Sequence, residues 1–280
     1  MSSFEFDRVL TIGAGGMIGA YVDFGMRPSR SALDVLDEKA VLRYVAEHKP
    51  SAIIHLAGAT DMARCEQDPA YAYELNVRGT YNVARAACAH GAVMVYASTS
   101  RVFRGDKAVP YEEDDVPEPD THYGRTKHIG EIIVQSLVPQ HIIARTAWVF
   151  GGGPERDNKF YGKMIRQLQT RGTDAVALND VYGSPTYGKD YIAAVKILLA
   201  EGAHGTFHIA NSGVATRYDL AGAIAEQLES DADIRGVERS FFPSGAELPT
   251  NESIVSARVT MRPWQDALKE YLSLEWKMHA

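Results

Sequence analysis

Tyr123 and Lys127, four residues apart in Tyr123-Gly-Arg-Thr-Lys127, are the side chains of this sequence best suited to proton transfer. On a helix, positions i and i+4 share one face, so a phenol and an ammonium would stand side by side. Thr99, in the run Ala97-Ser-Thr-Ser100, supplies a hydroxyl upstream of them. A glycine fingerprint, Gly13-Ala-Gly15-Gly16-Met17-Ile18-Gly19, opens the chain directly after a short apolar run. Together these groups describe a hydride-transfer site. When hydride reaches a carbonyl carbon, the oxygen gathers charge and needs a proton. A phenol near its reference pKa of about 10 exchanges that proton slowly at neutral pH. A neighbouring ammonium favours the phenolate and brings the pKa toward the working range. Lys127 is therefore expected to lower the pKa of Tyr123 and to hold the nicotinamide ribose, while Thr99 hydrogen-bonds the carbonyl oxygen. Alone, the Tyr–Lys pair reads as an exposed helix pair; the glycine turn and Ser98-Thr99 decide against that.

The glycines allow a tight turn and let backbone N–H groups approach a pyrophosphate at a helix start. Gly13, Gly15, Gly16, Met17, Ile18 and Gly19 are the expected cradle. Gly25 and Pro28 follow so soon that the first helix and second strand must be short. Asp34 has roughly the offset of a ribose-binding carboxylate, but Ala32-Leu-Asp-Val35 reads as the end of a later strand. Arg27, Ser29 and Arg30 fall nearer the ribose. An arginine there suits a 2′-phosphate and leans toward NADP(H) over NAD(H); two solvated loop arginines are an equal reading.

The elements that must position these groups alternate. Short apolar runs at 8–12, 51–57, 92–97 and 141–145 read as strands. Helical patterns cover 36–48 (Val41, Leu42 and Val45 on one face, Pro50 as the stop), 70–90 (closed by Gly91), 126–137, 160–170 and 189–199. Residues 151–154 and 182–186 read as loops. The pattern predicts an α/β protein: a doubly wound parallel Rossmann sheet with a smaller α/β substrate lobe. Residues 1–150 are the expected cofactor domain, with a return segment near 176–200. Residues 151–175 and 201–280 are expected mainly in the lobe.

The bulk numbers fit a soluble globular chain of 280 residues, 45% apolar and 23% charged. A net charge of -7 argues against nucleic acid as a partner. Cys65 and Cys88 lack metal-ligand spacing, so neither a disulfide framework nor a zinc site is expected. The amino terminus has no signal-peptide layout and no apolar run is long enough to span a bilayer. A cytoplasmic protein is expected.

Several ordered motifs over nearly the whole chain resemble the extended short-chain dehydrogenases, and among them the dTDP-4-dehydrorhamnose reductase family. They are Leu33-Asp-Val-Leu-Asp37 with Ala40-Val41, Pro50 to Thr60, Asn76-Val-Arg-Gly-Thr80, Tyr123 to Glu131, Arg145-Thr-Ala-Trp-Val-Phe-Gly151, Gly183-Ser-Pro-Thr186 with Asp190, and Arg262-Pro263. The resemblance implies Thr99, Tyr123 and Lys127 as a catalytic triad. It implies Asp34, Val35, Leu56, Ala57, Gly58 and Lys127 beside the glycines at the cofactor, and Trp148 against the sugar. It further implies reduction of the 4-keto group of a nucleotide-linked 6-deoxysugar, and a homodimer. Where the family usually has Asp-Tyr after Ser-Thr, this chain has Ser100-Arg101, both expected at the substrate. Arg101 is placed to meet a substrate phosphate or carboxylate, or to point to solvent. Related dehydratases follow that threonine with Asp-Glu, which Ser100-Arg101 cannot replace. The alternatives are a nucleotide-sugar 4-epimerase with bound NAD and a non-catalytic cofactor-binding regulatory subunit.

Overall fold

Strands β1 (Val9–Ile12), β2 (Ala52–His55) and β4 (His141–Thr146) are buried at every residue, so both faces of the sheet are covered. The computed structural model describes residues 4–170, 173–242 and 249–277; Met1 to Ser3 of the amino-terminal reading lie outside these. In chain order, β1 is followed by α1 (Glu38–His48), β2, α2 (Met62–Gln67), α3 (Pro69–Tyr73), α4 (Gly79–His90), β3 (Val93–Thr99), α5 (His122–Leu137) and β4. Then come β5 (Val149–Phe150), α6 (Gly153–Arg156), α7 (Phe160–Leu168), β6 (Ala175–Leu178), β7 (Tyr182–Gly183), β8 (Thr186–Tyr187) and α8 (Gly188–Ala200). The chain ends with β9 (Gly205–His208), β10 (Ala215–Thr216), α9 (Arg217–Gln227), β11 (Ile234–Val237), β12 (Asn251–Glu252) and α10 (Trp264–Glu275).

The central sheet runs β1-β2-β3-β4-β9, parallel throughout. Val41, Val45, Val83 and Val134, from α1, α4 and α5, pack on one face against Leu10, Ile53, Met94 and Tyr96. Tyr191, Ile192, Val195 and Leu198 of α8 cover the other. A separate core joins α7, α9 and α10 around Phe150, Tyr161, Leu220 and Tyr271. Among the described residues no helix is long and apolar enough to cross a membrane.

Helix boundaries follow local chemistry. Asp37 caps α1 by accepting from the Ala40 N–H, and Lys49 ends it in the left-handed region. Thr121 accepts from the Gly124 N–H, so α5 starts at His122, before the expected Thr126, and carries both Tyr123 and Lys127. The expected helix over 70–90 contains a π-helical turn at Glu74–Arg78. Such turns recur at functional sites.

After β1 the chain forms only a 3₁₀ turn, Gly19–Tyr21, and one bridge, Leu10 with Met26. The first crossover is therefore as short as Gly25 and Pro28 require. Three expectations fail. Asp34 lies in the turn before α1, where its Oδ1 accepts from the Leu36 N–H at 3.0 Å, and not on a strand. Residues 182–186 hold β7 and β8, built on pairing partners distant in the chain. Gly205–His208 belongs to the central sheet, paired with Ile142–Arg145, whereas Ala175–Leu178 pairs with β11 in the lobe.

Candidate active site

Thr99 ends β3, and α5 crosses that strand end with Tyr123 in its first turn and Lys127 one turn on. Ligands of open α/β sheets bind at such carboxyl ends. Thr99 and Lys127 are each buried to 7% exposure. The Tyr123 phenol is pushed up to about 12 by burial, with the Thr99 hydroxyl the leading opposing influence. Burial pulls the Lys127 amine down to about 7, with the Glu131 carboxylate opposing. The expectation that Lys127 lowers the Tyr123 pKa fails in this state: withdrawal from water disfavours phenolate and ammonium alike, and it outweighs their neighbours. The phenol is thereby kept protonated at neutral pH. Lys127 Nζ sits 4.0 Å from the centroid of the Tyr96 ring.

A buried ion pair supports these groups. Glu131, one turn beyond Lys127, accepts from Arg145 Nε and Nη2, each at 2.8 Å, and from Ser98 Oγ at 2.5 Å. It ties α5 to β4 and to the residue before Thr99. Its carboxyl is held down to about 2, because these hydrogen bonds and the Arg145 charge exceed the cost of burial. Asn76, in the π turn, accepts from the Ala59 N–H and donates to the Ala59 carbonyl and to Thr126 Oγ1. The loop after β2 is thus pinned to α5.

The glycine turn lies against that loop. Gly13 has φ +95°, and a Cβ there would stand 2.5 Å from the Ala57 N. A Cβ on Gly19 would meet the Ala14 Cα at 2.5 Å, whereas one on Gly15 would face open space. Gly13 and Gly19 are thus dictated by the fold, and Gly15 is not. Among the described residues, the N–H groups of Ala14, Gly15, Met17 and Ile18 donate to no protein acceptor. This open cradle of donors fits a diphosphate. Leu56 and Ala57 both donate to the Ile12 carbonyl, and Gly58 lies under Asn76 Oδ1. Val35 is core, buried beneath Gly79. Arg30 is exposed, and among the described residues no hydrogen bond or ion pair joins it to the glycine turn; Arg27 donates to the Val22 carbonyl at 2.6 Å.

On the opposite side stand Ser100, Arg101 and Trp148, joined by Glu252 and Arg217, which the sequence did not single out. Ser100 and Arg101 are buried, so Arg101 does not point to solvent. Its Nη1 donates to Glu252 Oε1 at 3.1 Å, and its Nη2 lies 3.8 Å from Asp120. Trp148, at φ +38°, donates from Nε1 to Glu252 Oε2 at 2.6 Å. A side chain at Gly183 would meet the Trp148 ring at 2.2 Å, so the ring lies directly over β7. β7 is flanked by β10 and β12, which brings Arg217, just past β10, and Glu252, on β12, to that ring. The Arg217 guanidinium carbon lies 3.8 Å from the Trp148 centroid and 4.6 Å from that of Phe160. No local pattern marks Glu252 or Arg217 in the sequence, because three-strand pairing in the lobe assembles them.

Residues 7–275 match the model of the family described as RmlD substrate binding domain. The spore coat polysaccharide biosynthesis protein SpsK of Bacillus subtilis is 30% identical, covering 95% of this chain and 96% of its own. The dTDP-4-dehydrorhamnose reductase of Mycolicibacterium smegmatis is 34% identical, with 94% and 84% covered. The crystal structure of dTDP-4-dehydrorhamnose reductase from Yersinia enterocolitica superposes with a TM-score of 0.88 at 34% identity, covering 95% and 98%. That of the Bacillus anthracis enzyme in complex with NADP gives 0.89 at 28% identity, covering 94% and 98%. With the sequence motifs and the parallel sheet, these matches establish that the chain belongs to the dTDP-4-dehydrorhamnose reductase family of extended short-chain dehydrogenases, whose shared module is the RmlD substrate binding domain.

Proposed function

We propose that the protein reduces the 4-keto group of a nucleotide-linked 6-deoxysugar with NADPH or NADH. The observation that carries this is the placement of Tyr123 beside Thr99, at the sheet edge that holds the open glycine turn. The free N–H groups of Ala14, Gly15, Met17 and Ile18 would hold the cofactor diphosphate, and Lys127 a ribose hydroxyl. When bound, the cofactor supplies the hydride. Thr99 Oγ1 orients the carbonyl oxygen, and Tyr123 gives that oxygen its proton. Burial favours the neutral, protonated phenol, which suits the reducing direction. Lys127 in its ammonium form stabilises the phenolate left behind. The similarity to a structure solved with NADP supports NADPH as the better donor.

The family resemblance supports a homodimer, which sedimentation of the purified protein tests. For the activity, nucleotide 4-keto-6-deoxysugars are assayed for oxidation of NADH and NADPH. Oxidation that depends on Tyr123 is expected.

A further inference from the structure

The Lys127 ammonium rests on a ring and not on a carboxylate. Its Nζ stands 4.0 Å from the Tyr96 centroid, over the face of the ring, and among the described residues it makes no hydrogen bond and no ion pair. An ammonium is attracted to such a face within about 6 Å. Tyr96 is tightly enclosed. It is wholly buried on β3, paired with His55 of β2, and a Cβ on Gly130 would stand 2.1 Å from its hydroxyl. That hydroxyl donates to the Lys127 carbonyl at 3.4 Å. One tyrosine thus touches both ends of the same lysine, its backbone and its charge. The other groups around Lys127 do not replace the ring. Glu131, one turn on along α5, is the charge that acts on it, and that carboxylate is already bound by Arg145 of β4 and by Ser98. His55 is kept neutral by burial and by the Lys127 charge, which pull it down to about 3, and its Nε2 lies 3.2 Å from Thr80 Oγ1 of α4. Arg101, in the turn after β3, is engaged with Glu252, and Tyr123 is a neutral phenol.

We propose that Tyr96 is a positioning residue for Lys127: its ring face carries the ammonium, and its hydroxyl fixes the carbonyl of the same lysine. The use of Lys127 in catalysis rests on the reductase reading; the contact between the two side chains does not. A ring and a carboxylate would serve Lys127 differently. A carboxylate would hold the ammonium in place but would cancel its field at the Tyr123 phenolate and occupy its N–H groups. A ring face stabilises the ammonium with no opposing charge and takes up no hydrogen bond in the ordinary sense. The lysine N–H groups stay free for a ribose hydroxyl, and the positive field stays available to the phenolate. Tyr96 therefore offsets part of the cost that burial places on the charged form of Lys127.

The contact is tested first without turnover. Protein labelled with ¹³C at the lysine ε-carbons is titrated with pH by NMR as wild type, Tyr96→Phe, Tyr96→Leu and Tyr96→Met, with Lys127→Met to identify the Lys127 signal. The methionine variant at Tyr96 keeps the test usable if the leucine variant fails to fold, and thermal melting checks each protein. Tyr96→Phe keeps the ring and should titrate close to wild type. Tyr96→Leu and Tyr96→Met lose it, and Lys127 should titrate about one pH unit lower, as for one desolvated cation–ring contact. The alkaline fall of kcat/KM for keto-sugar reduction should move down with it in the leucine and methionine variants and stay in place in Tyr96→Phe, which a purely structural role for the tyrosine would not produce. An unchanged or raised Lys127 titration in the leucine and methionine variants overturns the proposal. So does an equal lowering in all three variants, which would assign the effect to the hydroxyl and not the ring. If no keto sugar is reduced by wild type while the Lys127 titration still follows the ring, the reductase reading fails and the Tyr96–Lys127 contact stands.

Discussion

At the residue scale, burial sets the protonation states of the central pair. With its phenol raised to about 12, Tyr123, the proposed proton donor, stays protonated near neutral pH, whereas Lys127, lowered to about 7, is the group placed to titrate. If catalysis needs the Lys127 ammonium, kcat/KM for reduction is level below about pH 7 and falls as pH rises through it, a sign opposite to that of a required general base. A profile flat from roughly pH 6 to 9 contradicts this role. Tyr123→Phe removes the proposed proton donor and is expected to lower kcat by about a hundred- to ten-thousand-fold while NADPH binding persists. Thr99, Tyr123 and Lys127 were legible because each stands in a contiguous motif whose spacing maps onto one strand end and one helix face. The raised phenol pKa was not, because it depends on how deeply α5 buries its own first turn.

At the element scale, the glycine turn separates two jobs that a sequence motif merges. Gly13→Ala forces a Cβ onto the Ala57 backbone from a left-handed φ, so a lowered melting temperature and lost cofactor binding are expected together. Gly15→Ala has room for its methyl group, so the variant should melt like wild type while binding NADPH more weakly. Equal melting losses in the two variants, seen by calorimetry, contradict this division. The shortened first crossover was readable from Gly25 and Pro28. The Asp34 turn was not, because a run such as Ala-Leu-Asp-Val suits a strand until Asp34 closes on Leu36. Ordered local signals gave the main strands and helices, whereas two-residue strands such as β7 exist only through pairing with β10 and β12.

Over the whole molecule, two polar ties hold elements in register, one between the segment after the glycine turn and α10 and one between α5 and β4. Tyr21, just after the glycine turn, donates to Glu275 of α10 at 2.6 Å and accepts from the Gly152 N–H at 2.6 Å; Tyr187 donates to the same Glu275 oxygen. The Glu131–Arg145 pair binds α5 to β4. Since the Glu131 carboxyl lies at about 2, below its unfolded value of about 4.3, its stabilisation is present above that value and is lost as pH falls toward 2. The contribution is on the order of 3 kcal/mol at about 1.4 kcal/mol per pKa unit. Glu131→Gln should therefore destabilise at pH 7 and flatten the acid limb of stability measured by urea unfolding; an unchanged acid limb contradicts the assignment. Glu131 and Arg145 were visible in motifs, but their pairing joins two elements and only the fold reveals it.

The central claim is carbonyl reduction through Tyr123 on a nucleotide sugar. Its most direct measurement is the loss of absorbance of NADPH and NADH with a panel of nucleotide 4-keto-6-deoxysugars, run with wild type and Tyr123→Phe. The account predicts that wild type oxidises a cofactor with at least one sugar and that Tyr123→Phe loses most of that rate. No oxidation across the panel, or full activity in Tyr123→Phe, would contradict it.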